Sequence, residues 1–192
     1  MSRQNQNNKF AVYAGSSVLI LAGLSYYNRK KLKAIVSGEA NPKGNEAHLR
    51  TLNPRYQDLF RRFINAIQLR GYKVQINSSY RSFAKQAQEK AEDSRNATAG
   101  FSPHNYGIAL DFQMSKDGKI YGKSTPKQDW INTGIPRLAA SMGLKWGGDF
   151  AGYLDEVHFY VPLDTTRLYN LALKQFKTSD PNKIIGNRVN VA

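Results

Sequence analysis

The chain has 192 residues, which is enough for one domain with a substantial core and an appended segment. It has no cysteine, so a disulfide framework and a thiolate metal site are excluded, and a metal would have to be held by His, Asp or Glu. The net charge of +14 favours a polyanionic partner such as anionic lipid or a cell-envelope polymer. The basic residues match no RNA-binding or helix-turn-helix signature, so nucleic-acid binding is not expected.

The first part of the chain predicts attachment to a membrane. Residues 1–9 are polar and are predicted to be a tail, whereas residues 10–27 contain no charged side chain. As a helix this uncharged segment spans roughly 27 Å, close to the hydrocarbon thickness of a bilayer. We therefore predict one transmembrane helix, with a cleaved signal peptide and a buried soluble helix as the alternatives. A basic linker is predicted over residues 28–54, and by the positive-inside rule its charges place the following domain on the cytoplasmic side.

Periodicity and capping signals predict an α+β domain over residues 55–177, with a small antiparallel sheet flanked by helices. The predicted helices cover 55–70, 82–93, 129–142 and 164–176, and the predicted strands cover 73–80, 107–114 and 157–161. A hairpin is predicted at 115–125, a glycine-rich loop at 145–152, and a C-terminal tail at 178–192. The absence of a strand–helix–strand rhythm argues against a parallel sheet.

Two of the three histidines lie in segments that also carry a carboxylate at a strand edge. His104 precedes the strand that contains Asp111, and Gly107 between them allows the chain to fold back closely. Asp111 lies within an apolar run, where a carboxylate is costly unless a positive charge pairs with it. His158 begins a later strand, and Asp155 lies in the turn before it. Two imidazoles and a carboxylate suit a catalytic zinc with one open position, although each segment alone is also compatible with ordinary hydrogen-bonded residues.

Several motifs in order resemble the signature of the VanY/VanX-type zinc peptidases, which include D-Ala-D-Ala carboxypeptidases and the L-alanyl-D-glutamate endopeptidases of phage endolysins. The resemblance covers roughly residues 55–165 and leaves residues 1–54 unmatched. It implies the D-Ala-D-Ala metallopeptidase/hedgehog-like fold. The matching segments are Ser79-Tyr80-Arg81-Ser82, Ser102-x-His104-x-x-Gly107-x-Ala109-x-Asp111, Trp146-Gly147-Gly148-Asp149-Phe150 and Asp155-x-x-His158.

The resemblance implies a role for each matched side chain. The zinc ligands would be His104, Asp111 and His158. The catalytic base would be Asp155, with the adjacent Glu156 ranked well below it because it is one residue out of register. Arg81 would stabilise the negative charge on the substrate carbonyl. Supporting or substrate-binding roles would fall to Ser102, Tyr80 and Trp146.

The function implied is a membrane-anchored peptidase that hydrolyses peptidoglycan stem peptides. An L-Ala-D-Glu endopeptidase acting in phage entry or lysis is favoured, since the Asp base and the Trp-Gly-Gly loop resemble the endolysin branch. The alternatives are a D-Ala-D-Ala carboxypeptidase of bacterial wall remodelling and a non-catalytic, zinc-containing wall-binding module. The expected location is a viral internal membrane or a bacterial inner membrane, with a single membrane pass.

Overall fold

The computed structural model of the chain describes residues 42–191, which form an α+β domain. The helices are α1 (Pro42–Thr51), α2 (Pro54–Leu69), α3 (Phe83–Glu92), α4 (Lys127–Asn132), α5 (Ile135–Ser141) and α6 (Thr165–Gln175). The strands are β1 (Lys73–Ser78), β2 (Ala109–Lys116), β3 (Lys119–Tyr121), β4 (Lys145–Trp146) and β5 (His158–Tyr160). No helix in residues 42–191 is long and apolar enough to cross a bilayer. The predicted tail at 1–9 and membrane helix at 10–27 lie outside the described residues.

The five strands form one sheet in the order β1-β2-β5-β4, and β3 extends it by pairing with the far end of β2. Each recorded pairing is antiparallel, which confirms the predicted small antiparallel sheet. Strand β2 is central because it pairs with β1 on one side and with both β5 and β3 on the other.

Alternation along β2 gives the sheet a core face and an open face. Phe112 and its neighbours two residues away are almost fully buried, whereas Asp111 and Gln113 on the other face are only half-buried. Helix α2 covers the core face, where the Phe63 ring lies 6.0 Å from Phe112 and 5.3 Å from Phe159. The helix therefore supplies the core, and the uncovered face remains available for a site.

The predicted linker over residues 28–54 is wrong for its last part, because helix α1 occupies Pro42–Thr51. Leu49 is buried, and Asn45 uses both ends of its side-chain amide on the edge of β1. It donates to the Val74 carbonyl and accepts from the Ile76 amide, both at 2.8 Å. The domain thus begins earlier than residue 55, since α1 satisfies backbone groups that the edge strand would otherwise expose.

The predicted helix over 129–142 is two helices, and the described part of the predicted tail at 178–192, residues 178–191, packs against the domain. Gly134 adopts a left-handed backbone with φ +71°, and Pro136 has no amide hydrogen for the preceding turn, so α4 and α5 separate there. At the C-terminus, Ile184, Val189 and Val191 are buried in the core. These apolar residues follow no helical or strand period, which is why the sequence pattern did not indicate their burial.

Candidate metal centre

A short 3-10 turn over Pro103–Tyr106 brings His104 over the open face of the sheet. Its first amide is capped because the Ser102 hydroxyl accepts a hydrogen bond from the His104 amide at 3.3 Å. Gly107 ends the turn with φ +63°, and a Cβ there would lie 2.5 Å from the Asn53 amide nitrogen. The sharp reversal therefore requires glycine at this position, as the sequence predicted.

Asp111 and His158 face each other because β2 and β5 pair in a register that places these two residues directly opposite. Opposed residues in an antiparallel pair project to the same face with their Cβ atoms close together. Both side chains point away from the aromatic core, since Phe112 and Phe159 occupy the alternate positions. The sheet register thus aligns two residues that are 47 positions apart in the chain.

The three predicted ligands converge on one point. The Asp111 Oδ1 atom lies 3.0 Å from His104 Nε2 and 2.8 Å from His158 Nδ1. The two ring nitrogens are 3.1 Å apart. Among residues 42–191 this is the one group of three such side chains close enough to share a metal ion.

The hydrogen bonding of His104 shows that these residues fit a bound cation. Its Nδ1 faces the Ser79 backbone carbonyl, which can only accept, so Nδ1 carries the proton. In the neutral ring, Nε2 then directs a lone pair at the Asp111 carboxylate and at His158. A shared cation stabilises electron-rich atoms in such contact, and two imidazoles with one carboxylate form the three-ligand set of a catalytic zinc.

The electrostatics of Asp111 are consistent with that arrangement. Burial by itself would raise the pKa of this carboxyl group. The electrostatic and hydrogen-bond interactions with the His104 and His158 rings outweigh burial, so the pKa of Asp111 lies well below its ordinary value. The carboxylate is therefore held in the ionised form that ligates a metal.

An outer set of hydrogen bonds connects His104 to helix α1. The backbone carbonyl of Ser79 accepts the hydrogen bond from His104. The Ser79 hydroxyl lies 2.9 Å from His48 Nδ1 and 2.8 Å from Thr51 Oγ1. The Thr51 hydroxyl also donates to the His48 carbonyl at 2.7 Å. Burial lowers the pKa of His48, which favours its neutral form. This chain of contacts holds the peptide that fixes the His104 tautomer.

Asp155 lies beside the triad with an unsatisfied oxygen. Its Oδ1 is buried and has no hydrogen-bond partner within the described part of the chain. Its pKa is raised, first by burial and then by the negative charge of Asp111, while His158 and Lys123 act in the opposite direction. A buried carboxylate without a partner at a cavity wall is typical of a group that takes up a proton during a reaction.

The Trp-Gly-Gly segment positions the Asp155 turn. The Asp155 amide donates to the Gly147 carbonyl at 3.1 Å, and the Trp146 indole donates to the Glu156 carbonyl at 2.7 Å. A Cβ on Gly147 would lie 2.5 Å from the Asp155 carbonyl oxygen and 2.9 Å from His158 Cβ. The two glycines at 147 and 148 therefore let the loop approach both the turn and the Trp146 ring.

Arg81 extends from the end of β1 toward the triad. Its guanidinium donates to the Ser78 hydroxyl and to the Gln86 side-chain carbonyl, both at 3.1 Å. One of its nitrogens lies 3.8 Å from Asp111 Oδ2, with both side chains largely buried. The cation is thus fixed next to the candidate metal position.

These groups share one cavity of about 780 Å³. Its walls include six of the predicted or neighbouring site residues, namely Arg81, Ser102, His104, Asp111, Asp155 and His158. Tyr80 and Trp146 are not part of the lining. Trp146 is buried, and the Tyr80 hydroxyl accepts a hydrogen bond from the Gly186 backbone, so these two side chains support the surrounding structure.

Two residues at the site were not singled out from the sequence. His48 lies in the segment interpreted as a linker, and its signal was that it is the third of only three histidines. Lys123 lines the cavity from the turn after β3. Nothing in the local sequence distinguishes it from the many other lysines.

Two sequence comparisons find similar proteins. A family model described as D-alanyl-D-alanine carboxypeptidase matches residues 95–161. The peptidoglycan L-alanyl-D-glutamate endopeptidase CwlK of Bacillus subtilis (strain 168) is 33% identical over 103 residues, covering 46% of this chain and 60% of CwlK. The chain therefore spans less than two thirds of that relative's length.

Solved structures with a similar fold include two peptidases. The L-Ala D-Glu endopeptidase ChiX of Serratia marcescens gives a TM-score of 0.46 at 26% identity, over 62% of this chain and 86% of ChiX. The D,D-pentapeptidase VanY of a VanB-type resistance cassette, solved with Zn(II), gives 0.42 at 19% identity, over 62% of this chain and 78% of VanY.

Proposed function

We propose that the chain, which is similar to VanY-type peptidases, hydrolyses peptidoglycan stem peptides with a zinc ion held by His104, Asp111 and His158. The observation that carries the proposal is the convergence of these three ligand atoms, 2.8–3.1 Å apart, in a cavity that also contains Asp155, whose Oδ1 has no hydrogen-bond partner among residues 42–191. When bound, zinc supplies a Lewis acid that polarises a carbonyl group and increases the acidity of water.

Asp155 and Arg81 provide the chemistry of the protein itself. The Asp155 carboxylate takes a proton from the attacking water and returns it to the leaving amine, since no other side chain or backbone group of residues 42–191 bonds to its Oδ1. Arg81 is held by Ser78 and Gln86 so that its charge faces the place where the carbonyl oxygen becomes negative. Asp111 keeps its charge because of its two histidine neighbours, and the His104 tautomer is fixed by the Ser79 carbonyl.

Within this activity, an L-Ala-D-Glu endopeptidase is the favoured form. The support is the CwlK relative, which is an L-alanyl-D-glutamate endopeptidase, and the Asp base and Trp-Gly-Gly loop in this sequence. A D-Ala-D-Ala carboxypeptidase is the second candidate, because the matching family model carries that description. A non-catalytic wall-binding module is disfavoured, since both Asp155 and Arg81 line the cavity.

We also propose that residues 10–27 anchor the chain in a lipid bilayer and that the enzyme acts in phage entry or lysis. The support is the uncharged segment in the sequence and its fit to the thickness of a bilayer. The basic residues that follow the segment would place the domain on the cytoplasmic side of a bacterial membrane, away from the cell wall. The positive-inside rule does not decide the orientation in a viral internal membrane, so that location is compatible with action on the wall. Recovery of the full-length chain only in the soluble fraction of virions and infected cells contradicts the anchor.

Digestion of purified peptidoglycan tests the peptidase. New N-terminal D-glutamate identifies an endopeptidase, whereas release of free D-alanine identifies a carboxypeptidase. Zinc-loaded wild-type protein that releases neither product would contradict both the endopeptidase and the carboxypeptidase. That result would favour the non-catalytic wall-binding module.

A further inference from the structure

Lys123 lies on a short turn whose backbone is firmly anchored. The Gly122 amide donates to the Thr125 hydroxyl at 2.9 Å, and the Thr125 amide donates back to the Gly122 carbonyl at 3.0 Å. The same carbonyl accepts from the indole of Trp130 at 3.2 Å, and Trp130 is fully buried. The turn therefore fixes the point from which the Lys123 side chain reaches the cavity.

Among residues 42–191, Lys123 is the cation lining this cavity whose side chain makes no hydrogen bond or ion pair. Arg81 is bound to Ser78 and Gln86, and Arg95 forms a bidentate pair with Asp93 at 2.6–3.1 Å. Lys123 is exposed and makes no ion pair or hydrogen bond with any other residue in the 42–191 range. An ammonium group without a protein partner, on the wall of a substrate cavity, is available to a substrate anion.

The position of Lys123 relative to Asp155 indicates which substrate anion it meets. Both residues line the same cavity, and the Lys123 charge acts on the Asp155 carboxyl group. In the proposed reaction Asp155 protonates the leaving amine, so Lys123 faces the leaving side of the scissile bond. If that leaving residue is D-glutamate, it carries an α-carboxyl group and a side-chain carboxyl group. Only one of the two forms the peptide bond to the next residue, so the other is free.

We propose that Lys123 binds the free carboxylate of the glutamate residue on the leaving side, so that the protein selects stem peptides in which this group is not amidated. This inference rests on the proposed endopeptidase function. An exposed ion pair contributes modestly, so the expected preference is about fivefold to tenfold.

Binding gives a test that does not depend on turnover. The zinc-loaded full chain is titrated in a calorimeter with two leaving fragments, one beginning with D-glutamate and one with D-isoglutamine. We expect about fivefold to tenfold tighter binding of the carboxylate form, loss of that difference in Lys123→Met, and its retention in Lys123→Arg. Lys174→Met is the matched control, since it removes an exposed lysine that lies outside the cavity lining. Equal affinities for the two fragments in the wild-type protein, or an unchanged difference in Lys123→Met, overturn the inference.

Hydrolysis of the matching L-Ala-D-Glu and L-Ala-D-isoglutamine peptides separates this inference from the proposed function. We expect Lys123→Met to lower kcat/KM about fivefold to tenfold for the carboxylate peptide and to leave the amide peptide unchanged. A binding preference without hydrolysis of either peptide sustains the role of Lys123 and contradicts the endopeptidase. Equal hydrolysis of both peptides, with no effect of Lys123→Met, sustains the endopeptidase and contradicts the role of Lys123.

Discussion

The two sides of the cavity are built differently. On one side, His104, Asp111 and His158 are held by a sheet register, a capped turn and an outer set of hydrogen bonds. On the other side, Lys123 is exposed and has no ion-pair partner within the described part of the chain, and Arg95 is held by Asp93 and lies over the Tyr153 ring at the surface. The difference indicates that the first side fixes the chemistry, which requires precise geometry, while the second side recognises the substrate, which requires available charge.

Replacing a metal ligand has the largest expected effect on the first side. Asp111→Ala removes one metal ligand and leaves the two imidazoles. Loss of a residue that only hydrogen-bonds to a ligand typically lowers metal affinity by roughly 10–100-fold, so we expect a larger decrease in zinc affinity here. Hydrolysis is expected to be lost. Metal content after gel filtration and the rate of peptidoglycan digestion measure this. Asp58→Ala is the control, because the Asp58 side chain is 83% exposed and forms a surface ion pair with Arg61 outside the cavity lining. Wild-type zinc content in Asp111→Ala contradicts the ligand assignment.

Asp155→Asn separates catalysis from metal binding. The amide cannot take up the proton, so hydrolysis is expected to fall by about 10²–10⁴-fold while zinc remains bound. Initial rates on peptidoglycan and the metal content of the same sample are the readouts.

Glu156→Gln is the matched control for this change, since Glu156 is the adjacent carboxyl group and does not line the cavity. We expect it to retain hydrolysis. Wild-type hydrolysis by Asp155→Asn would contradict the role of Asp155 as the catalytic base. Loss of hydrolysis in Glu156→Gln with activity retained in Asp155→Asn would assign that role to Glu156.

Arg81→Ala tests the stabilisation of the carbonyl oxygen. Loss of one fixed donor to a developing oxyanion typically lowers kcat by about 10²–10³-fold, and we expect a decrease of that size with zinc content maintained. Arg81→Lys keeps the charge but not both hydrogen bonds to Ser78 and Gln86, so an intermediate rate is expected. A change in KM alone, with kcat intact, would limit Arg81 to substrate binding.

The smallest expected effect lies in the outer hydrogen bonds of the metal side. His48→Ala removes the contact to the Ser79 hydroxyl, and zinc affinity is expected to fall by about tenfold. Competition with a chelator of known affinity measures the change. Arg50→Ala on the same helix is the control, because its side chain is 75% exposed and forms an ion pair with Glu46, away from Ser79. Equal affinities in the two variants would show that α1 does not influence the metal site.

Local signals in the sequence predicted the elements that depend on local interactions. The helices predicted over 55–70, 82–93 and 164–176 are confirmed as α2, α3 and α6, and the side chains of Ser82 and Asp164 cap the last two. The triad residues were identified from motif resemblance, but their convergence depends on the β2–β5 register, which no local pattern specifies.

Other parts of the site could not be predicted because they depend on distant contacts. Helix α1 was missed because its stabilising feature is Asn45, which bonds to a strand that begins 28 residues later in the sequence. His48 contacts the Ser79 hydroxyl because the fold places α1 beside the end of β1. Lys123 lines the cavity because the fold places the Gly122–Thr125 turn at its wall.

The most direct test of the central claim is the zinc content of the full chain together with its cleavage of purified peptidoglycan before chelation, after chelation and after reloading. The account predicts roughly one zinc ion per chain, release of new N-terminal D-glutamate, loss of that release on chelation, and recovery on reloading. A chain that binds no metal, or one that digests peptidoglycan equally well after the metal has been removed, would contradict it.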